Sequence, residues 1–123
     1  MVGLVVTVEN DMFTVEYDSP HYDVIQKAVG GWYERVHPVG LERPYCMMVN
    51  EEGLLQNLPM NLTGSVLYGT PQHGQPIVGD VIFLKDGYHD GEPDVVGMTA
   101  EEAQSLGDKF STMSGGLVRW ANK

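Results

Sequence analysis

Ile77-Val78-Gly79-Asp80-Val81-Ile82-Phe83-Leu84 is apolar on both faces of any strand it forms, with Asp80 as its one charge. A strand that alternates apolar and polar residues can face water on one side, but this one cannot, so it is read as the most buried, central strand of a sheet. Its flanks agree. A polar loop over residues 69–75 precedes it, and a turn-rich loop over residues 86–94 follows. Asp80 has two readings: a buried carboxylate that must be paired or have a raised pKa, or a residue at the strand start that caps a turn after Gly79.

Working outward, residues 2–8 are β-branched and residues 12–17 alternate with Phe13, Val15 and Tyr17 on one side. Joined through Glu9-Asn10-Asp11, they predict an antiparallel hairpin. Ser19-Pro20 supplies an N-cap and then a proline at the first helical position. The helix over residues 21–29 carries Tyr22, Ile25 and Val29 on one stripe and ends at Gly30-Gly31. Residues 32–36 and 45–49 read as two further strands, and Asn50-Glu51-Glu52-Gly53 as a turn. A short helix is expected over residues 60–67. Thr99-Ala100-Glu101-Glu102 is a capping box, opening a helix with Ala103, Leu106, Phe110 and Met113 three and four apart. Ser114-Gly115-Gly116 closes it.

The expected architecture is therefore α+β: residues 1–123 as one domain, with a mixed, mostly antiparallel sheet of about five strands and two or three helices packed on it. The length suits this, since 123 residues can bury roughly two-thirds of the unfolded surface around one core. No linker, repeat or low-complexity tract marks a boundary.

Charge excludes more than it identifies. Seventeen acids against seven bases leave a formal −10, which opposes direct binding of nucleic acid phosphates or of an anionic membrane. No apolar run approaches a bilayer span, Met1-Val2-Gly3-Leu4 lacks the basic region of a signal peptide, and Cys46 is the lone cysteine. A reducing cytoplasm is the compartment these features favour.

The charge is uneven. Residues 1–23 hold Glu9, Asp11, Glu16, Asp18 and Asp23 with no base, and residues 86–108 hold Asp86, Asp90, Glu92, Asp94, Glu101, Glu102 and Asp108, again with none. If the two blocks meet in the fold they form one strongly negative surface; the plainer alternative is that acidic loops keep the protein soluble.

Motifs for chemistry are weak. Cys46 and the histidines His21, His37, His73 and His89 show no metal-ligand spacing, so no metal or other cofactor is expected. Cys46 lies in an apolar run and reads as a small buried hydrophobe; a Cys–His nucleophile would need it exposed with a depressed pKa. The acids of residues 86–94 do not follow the calcium-loop pattern, and Gly30-Gly31 and Gly115-Gly116 lack the lysine of a phosphate loop. Asn61-Leu62-Thr63 matches a glycosylation acceptor but has no secretory route. Trp32, Tyr33, Tyr45 and Trp120 read either as a recognition surface or, for Trp32 at least, as core. Asn50, Glu51, Asn61 and Asp80 are candidates for lining a pocket, polar groups beside apolar strands.

Four segments in order, Val29-Gly30-Gly31-Trp32, then Met48-Val49-Asn50-Glu51-Glu52-Gly53, then Leu58-Pro59-Met60-Asn61, then Ile77-Val78-Gly79-Asp80-Val81, resemble a family of small proteins of phages, plasmids and other bacterial mobile elements, the domain of unknown function 3846. The likeness runs from the first strand through the Thr99 helix. The family tends to carry a basic residue after the asparagine, where this chain has Leu62. The resemblance implies no reaction; it implies an accessory protein of a mobile element that binds a host macromolecule. The leading expectation is a non-enzymatic binding protein whose acidic surface engages a basic protein partner, such as a host defence protein whose DNA groove it would occupy. The alternatives are a small-molecule or nucleotide-binding protein or enzyme using the Asn50, Asn61 and Asp80 pocket, and a self-associating scaffold in which Trp120 and the last helix pack on a second copy.

Overall fold

The computed structural model describes residues 1–18, 20–70 and 74–121, which form a single α+β domain. Among these residues seven strands and three helices occur in the order β1 (Val2–Val6), β2 (Asp11–Glu16), α1 (His21–Val29), β3 (Tyr33–Val36), β4 (Tyr45–Asn50), α2 (Leu62–Tyr68), β5 (Val81–His89), β6 (Glu92–Val96), α3 (Ala100–Met113) and β7 (Arg119–Trp120). The sheet order is β3-β4-β5-β1-β2-β7, with β6 also paired to β5. Among the described residues only the β2–β7 pair is parallel.

The strand expected at the centre is there. Residues Val81, Ile82, Phe83 and Leu84 are buried, and they pair with β1 on one side and β4 on the other. Alternation sends Val81 and Phe83 into one core with Val2, Leu4, Val6, Met47, Val49, Leu67, Leu106 and Phe110, beneath α2 and α3. It sends Ile82 and Leu84 into a second core with Val5, Ile25, Val29, Cys46 and Met48, beneath α1. Covered on both faces, the strand needs no polar side. Gly3 lets this layer close, because a Cβ there would lie 2.8 Å from Ile82 Cδ1.

The strand bounds differ from the expectation at both ends. β5 starts at Val81, because Gly79 takes φ +82° and turns the chain, leaving Val78 in a lone bridge to Met60. At the other end it runs on to His89, and the segment expected to be an open loop is a β5–β6 ribbon. Its tip is Asp90-Gly91, with φ +51° and +81°, the paired positive values of a type I′ hairpin turn. Pro93, which cannot donate to a ladder, is tolerated because β6 has a free edge. These differences, with the two-residue β7, bring the strands to seven instead of five.

The helix termini follow their sequence signals more closely. Thr99 Oγ1 accepts from the Glu102 backbone N–H at 3.1 Å, while Glu102 accepts from the Thr99 N–H at 2.9 Å. Pro20 occupies the N-cap position of α1 with no side-chain cap bond, one residue later than the expected cap, Ser19, which lies outside the described residues. Helix α2 starts at Leu62, with Asn61 as its N-cap.

Helix α3 is fastened at its middle. Gly107 faces Trp120, and a Cβ at Gly107 would run into the indole atoms Cζ2 and Cη2. The indole N–H donates to Asp108 Oδ1 at 2.9 Å, and β7 then pairs with β2 at Met12. Alanine in a helix interior normally gains up to about 1 kcal/mol over glycine. Here Gly107→Ala should instead lower stability by about 1–3 kcal/mol through overpacking. Urea unfolding checks the sign, and a red-shifted Trp120 emission checks the cause.

Candidate functional site

The four residues expected to line one pocket occupy two places. Asn61 is fully buried, with both amide donors and its oxygen engaged: Nδ2 donates to Val6 O and Gly79 O, each at 3.0 Å, and Oδ1 accepts from the Gly64 N–H at 3.0 Å. Asp80 lies next to this joint, half-buried, and its Oδ1 accepts from the Val8 N–H at 2.9 Å. The second reading of Asp80 is thus the one found: it sits before the strand, after the Gly79 turn. Both side chains hold backbone.

Asn50 and Glu51 are at the far end of β4. Asn50 is buried, donating to Val29 O at 3.1 Å and Gln56 Oε1 at 3.3 Å and accepting from the Glu52 N–H at 2.8 Å, which fixes the following turn. A cavity of about 380 Å³ opens beside them. Val36, Val49, Ile77 and Val78 line it with Asn50, Glu51, Glu34, Leu54, Leu55 and Tyr68, whereas Asn61 and Asp80 do not.

Strand register settles where the acids stand. Glu16 pairs with Val2, Val2 bridges to Met98, and Met98 lies between β6 and the first turn of α3. Glu16 and Asp18 from the first block therefore share one end of the sheet with Asp86, Asp90, Glu92, Asp94, Glu101 and Glu102 from the second. Glu9 and Asp11 do not join them, since the antiparallel hairpin carries them to the opposite end, where Asp11 is level with Arg119.

Part of this end is compensated. Asp86 accepts from Arg35 Nη1 at 3.3 Å and Arg43 Nη1 at 3.4 Å, with His37 Nε2 at 2.8 Å. Asp94 lies 3.3 Å from His21, and Glu102 pairs with Lys85 at 3.0 Å. The Thr99 backbone N–H and the Lys85 ammonium hold the Glu102 carboxyl below the ordinary glutamate range. Asp90 has only its neighbour His89, at 3.4 Å, and both are well exposed. Glu16, Asp18, Glu92 and Glu101 are exposed and make no ion pair among the described residues.

Cys46 is buried in the α1-side core, and burial, reinforced by the Asp86 charge, pushes its thiol up to about 12. That removes the nucleophile reading, which needs an exposed thiol of depressed pKa. His73 lies outside the described residues, and His21, His37 and His89 are each beside an aspartate. The aromatics are dispersed rather than gathered. Trp32 precedes β3 at one sheet edge and is 61% exposed, against its core reading, while Trp120 packs into its own chain at the other edge.

The profile of the domain of unknown function 3846 (DUF3846) matches residues 1–111. The chain belongs to the DUF3846 family. This covers the sheet through β6 and nearly all of α3; in this DUF3846 chain only β7, with the segment leading to it, falls beyond the match. No curated protein matches. Among solved structures the chain is similar to a crystal structure of the small RNA methyltransferase HEN1, with a TM-score of 0.50 and 14% identity over 83% of this chain. The likeness is one of fold, and the DUF3846 chain spans 15% of that protein's length. No helix of the described residues is long and apolar enough to cross a membrane.

Two measurements test these assignments. Asn61→Asp keeps an N-cap acceptor but sets a carboxylate against two buried carbonyl oxygens, and should lose about 2–4 kcal/mol in denaturant unfolding. Equal stability would mean that Asn61 is not the tie described. For Cys46 the sign follows from its raised pKa: the unfolded chain loses the thiol proton near pH 9 and the folded chain near 12. Stability should therefore hold below pH 9 and fall through the pH 9–12 window, at up to about 1.4 kcal/mol per pH unit. Burial also raises Tyr17, Tyr33 and Tyr45 above 10.0, so Cys46→Ala should flatten only the lower part of that slope.

Proposed function

We propose that this DUF3846 protein is a non-enzymatic binding protein whose acidic sheet end engages a basic surface on a protein partner. One observation carries the reading: register brings Glu16 and Asp18 to the same end as Asp90, Glu92 and Glu101, although about 70 residues of chain separate the two groups. These carboxylates are exposed at the end of β2, at the β5–β6 tip and in the first turn of α3, where they raise the encounter rate with a cationic surface and make binding sensitive to salt. The mobile-element setting suggested by the family motifs gives such a partner a context: a host DNA-binding or defence protein, with the acidic end taking the place of DNA phosphates.

The test uses tagged wild type and the variant E16Q/D18N/E92Q/E101Q as baits in a bacterial lysate. Wild type should capture basic proteins that are released between about 0.1 and 0.5 M salt, as screening shortens the Debye length. The variant should lose them, and excess duplex DNA should displace them if the partner's surface is a DNA groove. Captured proteins identical for both baits, and indifferent to salt, would overturn the reading.

A second reading has an observation of its own. The cavity beside Asn50 and Glu51 combines an apolar floor with a few polar side chains, the usual make-up of a ligand site.

A further inference from the structure

The cavity at the β3–β4 edge has a definite electrostatic character. Its floor is Val49 and Ile77, and among the described residues its charged lining is Glu34 and Glu51, with no lysine, arginine or histidine. Glu34 stands opposite Val49 in the ladder, so the carboxylate and the apolar floor share one face of the sheet. The ladder continues one step past the strand: the Glu51 N–H donates to Trp32 O at 3.0 Å, which sets Trp32 across from Glu51. By the two-residue alternation of a strand, Trp32 is on the same face as Glu34. At the open side Leu55 is 84% exposed, so apolar surface borders the site on the outside as well.

Three properties thus converge. Two carboxylates with no counter-ion among the described residues favour a cation. The exposed indole of Trp32 does not line the cavity, but register sets it on the same face as both, where its ring face adds an attraction that is strongest for tryptophan. A cavity of about 380 Å³ with an apolar floor suits an aliphatic stem. A metal ion would gain nothing from the indole or the floor, and a neutral apolar ligand would gain nothing from the carboxylates.

We propose that this cavity binds an ammonium or guanidinium group carried on an aliphatic stem, with Glu34 and Glu51 pairing the cation and Trp32 covering it. The proposal rests on the ligand-pocket reading and names the ligand class for it. It is independent of the acidic sheet end, which lies at the other end of β4. Two sources share this chemistry: a free small cation, and an arginine or lysine side chain presented by a peptide.

The experiment follows Trp32 fluorescence and calorimetric heat as the protein is titrated with n-butylguanidinium, with neutral n-butylurea of nearly the same shape, and with the peptide acetyl-Gly-Arg-Gly-amide. Butylguanidinium should bind saturably below about 10 mM and butylurea should not. E34Q/E51Q should weaken the cation at least about tenfold, and Trp32→Ala should weaken it by several-fold, both with unchanged circular dichroism. A peptide that binds about tenfold more tightly than butylguanidinium assigns the site to a side chain; the reverse order assigns it to a free cation. Equal binding of butylurea and butylguanidinium would overturn the proposal while leaving a ligand pocket in place. Binding of neither would overturn both, as would, for the proposal alone, cation binding unchanged in E34Q/E51Q.

Discussion

The amide of Asn61 is the joint on which the fold turns. An apolar strand covered on both faces must begin somewhere, and at its start the backbone of β1, the Gly79 turn and the first turn of α2 all bring polar groups out of water. One side chain satisfies a group from each: two carbonyls through its NH₂ and one N–H through its oxygen. No other residue type of that size offers two donors and an acceptor in that spacing. Asp80 then holds the Val8 N–H on the adjoining side. With these bonds in place β5 needs only its apolar alternation to divide the two cores.

What was legible in the sequence was local. The first hairpin, the Thr99 box and the central position of residues 81–84 each rest on neighbours a few residues apart, and all are present. The β5–β6 ribbon is not legible in the same way, because its turn cue, Asp90-Gly91, lies among acids that also suit a solvated loop. Its two positive φ values and the long β5 ladder are what decide between those states. β7 was beyond reach for another reason. Two residues carry no periodicity, and their pairing depends on Trp120 finding the space over Gly107.

The candidate residues divide in the same way. Their chemical types were read correctly, but their partners are set by chain separations of 43 to 51 residues for the cations around Asp86. No window of sequence shows that Arg35, His37 and Arg43 converge there, so Asp86 looked like part of an uncompensated run. Likewise the turn after Asn50 suggests a pocket, yet the pocket's floor comes from Val49 on one side and Ile77 on the other. Glu34, two residues after Trp32 in the chain, gains its place only from the β3–β4 register, which sets it opposite Val49 on the cavity's floor.

The C-terminal segment has a consequence for how these proteins keep apart from one another. The family match stops at residue 111, inside α3, and β7 lies beyond it. In this chain Arg119 donates to Asn10 O and Ala121 to Met12 O, so one end of β2 has a strand alongside it. A family member ending with its helix would present that row of backbone groups bare, a template on which another copy could add its own edge and propagate. Here β7, held by the Trp120 indole, covers the Asp11–Met12 end of that row.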